Sequence, residues 1–248
     1  MSAKFQILLP VDFPCTSNSD IVPKVPRELA IVLSDGSLSA TLAATLAQQK
    51  YRLVLARIVM GDLKRARSAD AFDRQVVHFK PYRHHTLSVE TPKKQGGRDA
   101  AHMIDPRAHD DLGHRLTTLL PVMAIGFQLA AHYEANSVHI GLRVGRDSAD
   151  LARASEHVQI WNELVQMTCG RPTIELIAPV LELERWQVVD LGFQTEAPMA
   201  LSWDCDTDQP EPCGTCGGCR EREQAFLRSA RADPTRVAAA PVTSATSR

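Results

Sequence analysis

No stretch of the chain is apolar for anything near the length of a membrane span, which takes about 20 predominantly apolar residues. The short run from Phe5 to Val11 has neither a basic stretch before it nor a small-residue cleavage site after it, so no secretory leader is expected. Charge of one sign is lacking too. The 28 Lys and Arg stand against 29 Asp and Glu, for a formal net charge of -1 and a pI near 6.8, so nothing drives the whole molecule onto nucleic acid or an anionic membrane. The strip Arg220, Arg222, Arg228 and Arg231 is only locally basic and is interleaved with acids, which leaves a zinc-ribbon DNA binder as a minor reading. A spread disulfide framework is also missing, because four of the six cysteines crowd between Cys205 and Cys219. That usage suits a reducing compartment, and the expected location is cytoplasmic, with Cys15 and Cys169 as ordinary free thiols.

What is present supports a real core. With 248 residues, 44% of them hydrophobic, the chain has room for one large α/β domain or two small ones. Pro10, Pro14, Pro23 and Pro26 disfavour long regular elements in residues 1–26, where only Phe5 to Leu9 could add a strand. Leu29 to Leu33 is a continuous apolar run of the kind found in a strand buried on both faces of a parallel sheet. Ser34-Asp35-Gly36-Ser37 reads as a turn. Leu38, Leu42 and Leu46 then recur at helical spacing up to Gln49, and Leu53 to Met60 is the next strand. Strand, glycine turn, helix, strand is a βαβ unit, whose helix N-terminus points free amides at whatever occupies the turn.

Further on, Asp62 to Phe79 reads as a charged helix and Thr86 to Val89 as a third strand. Thr91 to Gly113, without an apolar period, reads as a long mobile segment of the kind that forms lids. Helices are expected over Leu116 to Tyr133, Ser148 to Met167 and Glu182 to Leu191, the last ending at Gly192. Strands are expected over Ser137 to Gly141 and Thr173 to Ala178. The Ala, Pro, Ser and Thr tail from Ser229 to Arg248 reads as disordered.

Cys205, Cys213, Cys216 and Cys219 carry the strongest chemical signal. The last three make two overlapping Cys-x-x-Cys steps, and thiolates two residues apart share one ion only where the backbone turns tightly, which Gly214, Gly217 and Gly218 permit. The reading is one structural zinc, closed to other ligands, against a disulfide pair or chance clustering.

Around these cysteines the sequence Ser202-Trp203-Asp204-Cys205, Cys213-Gly214-Thr215-Cys216-Gly217-Gly218-Cys219 and Arg222, Ala225, Phe226 resembles the C-terminal signature of the 7-cyano-7-deazaguanine synthases. These are zinc enzymes of the PP-loop ATP pyrophosphatase superfamily, in which Thr or Ser is followed by Trp-Ser-Cys, Cys-Gly-x-Cys-x-x-Cys and Arg-x-x-Ala-Phe. Ala178-Pro179-Val180, Arg185 to Val189 and Pro198 fit the same pattern. The resemblance implies a largely parallel five-stranded doubly wound α/β sheet over residues 27–201, and a zinc knuckle with its helix over 202–228. It also implies a homodimer, and chemistry in which ATP and Mg2+ activate a 7-carboxy-7-deazaguanine-like carboxylate that ammonia then converts to amide and nitrile.

In this likeness Ser34, Asp35, Gly36, Ser37 and Ser39 occupy the nucleotide loop, with Arg185 as a countercharge, and Asp150 and Arg153 are the candidates for substrate contact. Two loop positions depart from the family's Ser-Gly-Gly-x-Asp-Ser. Asp35 brings a carboxylate where a triphosphate would lie, and Leu38 replaces an Asp. An acid beside a helix N-terminus also stabilises the helix by roughly 0.3 to 1 kcal/mol with no nucleotide present, so Asp35 has a purely structural reading as well. Of the turn Asp-Tyr-Gly-Gln-Arg-His after the second strand, only Gly61 survives.

These departures point to a diverged zinc protein whose ATP chemistry is altered or lost. The alternative is an active ATP-dependent carbon-nitrogen ligase. Separately, His78, His84, His85, His102, His109 and His114 fall in one stretch with Asp99, Asp105, Asp110 and Asp111. A second metal site at His109-Asp110-Asp111 with His114 is weighed against a solvated polar loop, which the spacing favours, since no two of these histidines stand at i and i+4.

Overall fold

The computed structural model describes residues 28–60, 66–89, 112–146, 148–169 and 174–237. Among the described residues five strands form one parallel sheet, β1 (Leu29–Leu33), β2 (Arg52–Met60), β3 (Arg83–Val89), β4 (Ser137–Ile140) and β5 (Glu175–Ile177), in the order β3-β2-β1-β4-β5. Ile31 lies opposite Val54 on one side and Val138 on the other. The helices are α1 (Leu38–Lys50), α2 (Ala66–Phe79), α3 (Leu112–His132), α4 (Leu151–Cys169), α5 (Arg185–Gln194), α6 (Gly217–Arg228) and the short α7 (Pro234–Val237).

The apolar run of β1 has no polar residue because both of its faces are covered. Ile31 and Leu33 pack with Met123 and Phe127 of α3 and Val165 of α4. Val32 points to the other face, against Ala44 and Ala47 of α1 and Phe72 and Phe79 of α2. This alternation is the period-two rule of a strand acting on both faces at once, and each large side chain so buried contributes about 1.5–3 kcal/mol. A third cluster joins Leu38 and Leu42 of α1 to Val188 and Val189 of α5 and Phe226 of α6, seating the C-terminal unit on the start of α1.

From β1 the chain passes through α1 to β2 on one side, while β4 lies on the other side of β1. The strand order therefore reverses between β1 and β4, and the crevice above their carboxyl ends is where such sheets bind ligands. Gly141 narrows that crevice. A Cβ there would lie 2.6 Å from the Ala40 backbone nitrogen, so only glycine lets the exit of β4 rest on the first turn of α1.

Several expectations from the sequence shift. β3 begins three residues earlier than Thr86, because Arg83 to His85 pair with Val54 to Ala56. Helix α5 runs through Gly192 to Gln194, since Gly192 faces Met199, whose sulfur would lie 2.7 Å from an added Cβ. Helix α4 starts at Leu151 rather than Ser148. The tail is not disordered from Ser229. Asp233 accepts from the Thr235 amide at 3.0 Å and from Arg222, which ties the segment through Val237 to the fold. The extra strand at Phe5 to Leu9, the proposed ligands His109, Asp110 and Asp111, and most of the segment from Thr91 to Gly113 lie outside the described residues.

Gly141→Ala is expected to destabilise the fold by about 1–3 kcal/mol, since backbone sits opposite the new methyl and cannot yield. That lowers the thermal midpoint by roughly 2–4 °C per kcal/mol. An unchanged midpoint in a thermal melt contradicts this close approach.

Candidate functional site

At the start of α1 the backbone amides are met by the chain's own oxygens. The Gly36 amide donates to Ser34 Oγ at 3.2 Å, the Ser37 amide to Asp35 Oδ1 at 2.9 Å, and the Ala40 amide to Ser37 Oγ at 3.3 Å. The Leu38 amide donates to Asp204 Oδ1 at 3.2 Å. Helix N-termini carry unsatisfied donors and a partial positive charge, and here two carboxylates and two hydroxyls meet both needs.

The loop is braced from below by Gln75 of α2, which is fully buried. Its amide nitrogen donates to Thr41 Oγ1 at 2.8 Å and to the Gly36 carbonyl at 3.3 Å, while its oxygen accepts from the Ser34 hydroxyl at 3.1 Å. Gly36 has φ +87°, and a Cβ would lie 2.9 Å from the Ser68 carbonyl oxygen, so the turn admits no other residue without strain. The Ser68 hydroxyl donates to the Asp35 carbonyl.

Asp204 stands where this loop meets the cysteine-bearing segment. Its side chain is only 7% exposed and receives Arg222 Nη1 on Oδ2 at 2.7 Å, with Arg185 Nη1 3.7 Å from Oδ1. Arg222 is itself buried. It also donates to Ser202 Oγ at 2.8 Å and to both oxygens of Asp233, at 2.7 and 2.9 Å. Burial alone would raise the Asp233 carboxyl, but the hydrogen bonds and charge of Arg222 hold it below its ordinary value. A buried guanidinium between two carboxylates is thereby fully paired, as burial of charge demands.

A second chain of charges continues from Arg185, whose Nη2 meets Glu221 Oε2 at 2.5 Å, to Arg143, whose Nη2 is 3.8 Å from that same oxygen. Arg115 donates to the Arg143 carbonyl at 2.6 Å. Burial, then the charges of Arg185 and Arg115, push the Arg143 guanidinium down to about 10, with Glu221 opposing. Among the described residues, Arg185 Nε is buried without a hydrogen-bond partner.

These groups line a cleft of about 370 Å3 above the ends of β1 and β4, walled by the carboxylates Asp35, Asp150, Asp204, Asp206 and Glu221 and the guanidiniums Arg115, Arg143 and Arg185. A groove of about 640 Å3 beside α2 is larger, but Trp203, three prolines and scattered surface charges line it, away from the crossover. The smaller cleft is the candidate site on position and chemistry.

Of the residues singled out from sequence, Asp35, Ser37, Ser39, Asp150 and Arg185 meet in this cleft. Ser34 is buried and turned to Gln75, and Gly36 contributes only backbone. Arg153 does not join them. It lies in a separate groove between α3 and α4 with Leu116, Leu120 and Glu156, because the later start of α4 turns it away from Asp150. Asp204, Glu221, Arg143 and Gln75 were not foreseen. Only Asp204 had a signal, standing where the likeness has Ser between Trp and Cys.

The sulfurs of Cys205, Cys213, Cys216 and Cys219 all lie within 4.8 Å of one another, with 3.9 Å between Cys216 and Cys205. A tetrahedral ion with metal-sulfur bonds of about 2.3 Å sets sulfurs about 3.8 Å apart, so the four could hold one metal ion. Backbone amides point at them. Those of Asp206 and Cys219 donate to the Cys216 sulfur, those of Thr207 and Cys213 to the Cys205 sulfur, and that of Cys216 to the Cys213 sulfur, all at 3.4 to 3.5 Å. The amide and hydroxyl of Thr215, with the Cys216 amide, pull the Cys213 thiol down to about 5. Burial, with the neighbouring Cys216 and Cys205, pushes Cys219 well up. Ionised together, four thiolates this close would need a cation among them.

The model of the queuosine biosynthesis protein QueC family matches residues 29–230. Over 223 residues the chain is 28% identical to the 7-cyano-7-deazaguanine synthase of Koribacter versatilis (strain Ellin345), an alignment covering 83% of this chain and 91% of that protein. It is 24% identical over 215 residues to the 7-cyano-7-deazaguanine synthase of Chlorobium chlorochromatii (strain CaD3), covering 83% and 94%. Among solved structures, the NMN synthetase from Francisella tularensis aligns with a TM-score of 0.45 at 15% identity, covering 84% of this chain and 79% of that one.

Cys216→Ser removes the sulfur that is both a ligand candidate and the acceptor capping α6. The variant is expected to lose most of the bound metal, measured by elemental analysis of the purified protein, and to melt at lower temperature. Full metal content with an unchanged midpoint contradicts the four-sulfur site.

Proposed function

The chain belongs to the queuosine biosynthesis protein QueC family, and from that premise we propose that it is a 7-cyano-7-deazaguanine synthase-like zinc protein whose ATP chemistry is altered or lost. The carrying observation is the occupation of the nucleotide loop by the chain itself, with the Asp35 carboxylate on the Ser37 amide and the Asp204 carboxylate on the Leu38 amide. In the anion sites built on helix N-termini, a phosphate needs those amides. Here it would meet two negative charges instead. Leu38 cannot orient a Mg2+ ion, which is held by carboxylate, water and phosphate oxygens. The five carboxylates that line the cleft against three guanidiniums further oppose a triphosphate.

The zinc reading rests on four cysteine sulfurs in a closed arrangement, the ligand set and geometry that zinc favours in structural sites. Such an ion contributes to folding and leaves the reaction untouched. The protein then serves as a binding or regulatory subunit on a synthase scaffold.

A second reading, an active ATP-dependent ligase that converts 7-carboxy-7-deazaguanine or a related carboxylate with ammonia, is favoured by one feature. Arg143 and Arg185 lie side by side at the cleft and share Glu221, a wall suited to a carboxylate.

Titration calorimetry of the metal-loaded chain with ATP and Mg2+ is expected to detect no binding up to millimolar ATP. Assays for AMP and pyrophosphate with 7-carboxy-7-deazaguanine and ammonium are expected to stay at background. Clear turnover overturns the proposal in favour of the ligase.

A further inference from the structure

We infer that Asp204 is the specificity-determining residue of the cleft, a tethered carboxylate that holds the position an anionic ligand would take at the start of α1 and so excludes polyphosphates. This rests on the reading above that the loop does not engage a nucleotide, and it names the residue responsible.

Asp204 is fixed on every side. One oxygen takes the Leu38 amide and faces Arg185, and the other takes Arg222. The Trp203 amide donates to the Gly36 carbonyl at 2.8 Å, holding the segment against the nucleotide loop. A Cβ on Gly218 would overlap the Asp204 carbonyl oxygen, so α6 presses on the Asp204 backbone from the far side. The donors that a phosphate would use here, an amide at the helix N-terminus and the Arg185 guanidinium, are those already engaged by Asp204.

Asp35 is placed differently. It is exposed and spans only two residues to reach the Ser37 amide, so solvent and salt screen its charge. The charge of Asp204 is buried and weakly screened, and a like charge beside it is repelled several times more strongly than it would be in water. Asp204 therefore outweighs Asp35 in excluding an anion. Its removal leaves no orphaned ion, because Arg222 keeps both oxygens of Asp233 and the Ser202 hydroxyl, and Arg185 keeps Glu221.

The test is calorimetric titration of inorganic pyrophosphate into the full, metal-loaded chain. Wild type, Asp204→Asn, Asp204→Ser, Asp35→Asn and Glu223→Gln are compared. Asp204→Asn removes the charge and keeps the shape, whereas Asp204→Ser also clears the Leu38 amide. Glu223, exposed on α6 and paired with Arg236, lies outside the cleft and controls for net charge alone. Both Asp204 variants are expected to bind pyrophosphate at least about tenfold more tightly than wild type, a factor that corresponds to 1.4 kcal/mol. Asp35→Asn is expected to gain less than either, and Glu223→Gln to match wild type.

The inference is overturned if both Asp204 variants retain metal and fold yet bind no better than wild type, or if Asp35→Asn or Glu223→Gln gains as much. Micromolar binding of pyrophosphate by wild type would instead overturn the reading of the loop on which the inference rests.

Discussion

The pairing of Asp204 with Arg222 joins three parts of the molecule that are distant in sequence. A guanidinium as buried as that of Arg222 cannot stay charged without partners, and desolvating it is costly unless every donor is placed. Asp204, Asp233, Ser202 and the Met199 carbonyl together meet that demand. Through them α6, the α7 segment and the start of α1 are fixed relative to one another. The cysteine cluster sits beside this knot, since Cys205 follows Asp204 and Cys219 lies in the first turn of α6, one turn before Arg222. A metal there would hold in place the backbone that delivers both charges.

The same knot governs the cleft. In a sheet whose order reverses between β1 and β4, the crevice at the reversal inherits the helix N-terminus of α1 and its positive field. In this chain Asp35 and Asp204 neutralise the field, and the guanidiniums of Arg185 and Arg143 are drawn toward Glu221. On the proposed reading, what sets the cleft apart from a phosphate site is that the chain's own carboxylates take the amides at the start of α1.

Much of this was readable from sequence, for definite reasons. The β1 run and the helical period of α1 show plainly because both faces of that unit are buried, so every position is constrained. The cysteine spacing shows because its geometry is local. Gln75 was invisible, being a polar residue in a charged helix whose burial depends on a loop about 40 residues away. Arg143 and Glu221 were hidden for the same reason. The weight of Asp204 comes from Arg185, Arg222 and the Leu38 amide, none of them adjacent to it in sequence. Arg153 and Asp150 part because α4 starts at Leu151, which leaves Asp150 outside the helix that carries Arg153. The tail was misjudged at Ser229 because composition says nothing of one anchored acid, Asp233.

The most direct test is a crystal structure of the metal-loaded wild-type chain grown with millimolar Mg2+ and a non-hydrolysable ATP analogue. The account predicts the Asp204 carboxylate still on the Leu38 amide and between Arg185 and Arg222, with no phosphate over Ser37 to Ser39. A triphosphate bound to the Ser37 and Leu38 amides, with Asp204 displaced, would contradict it.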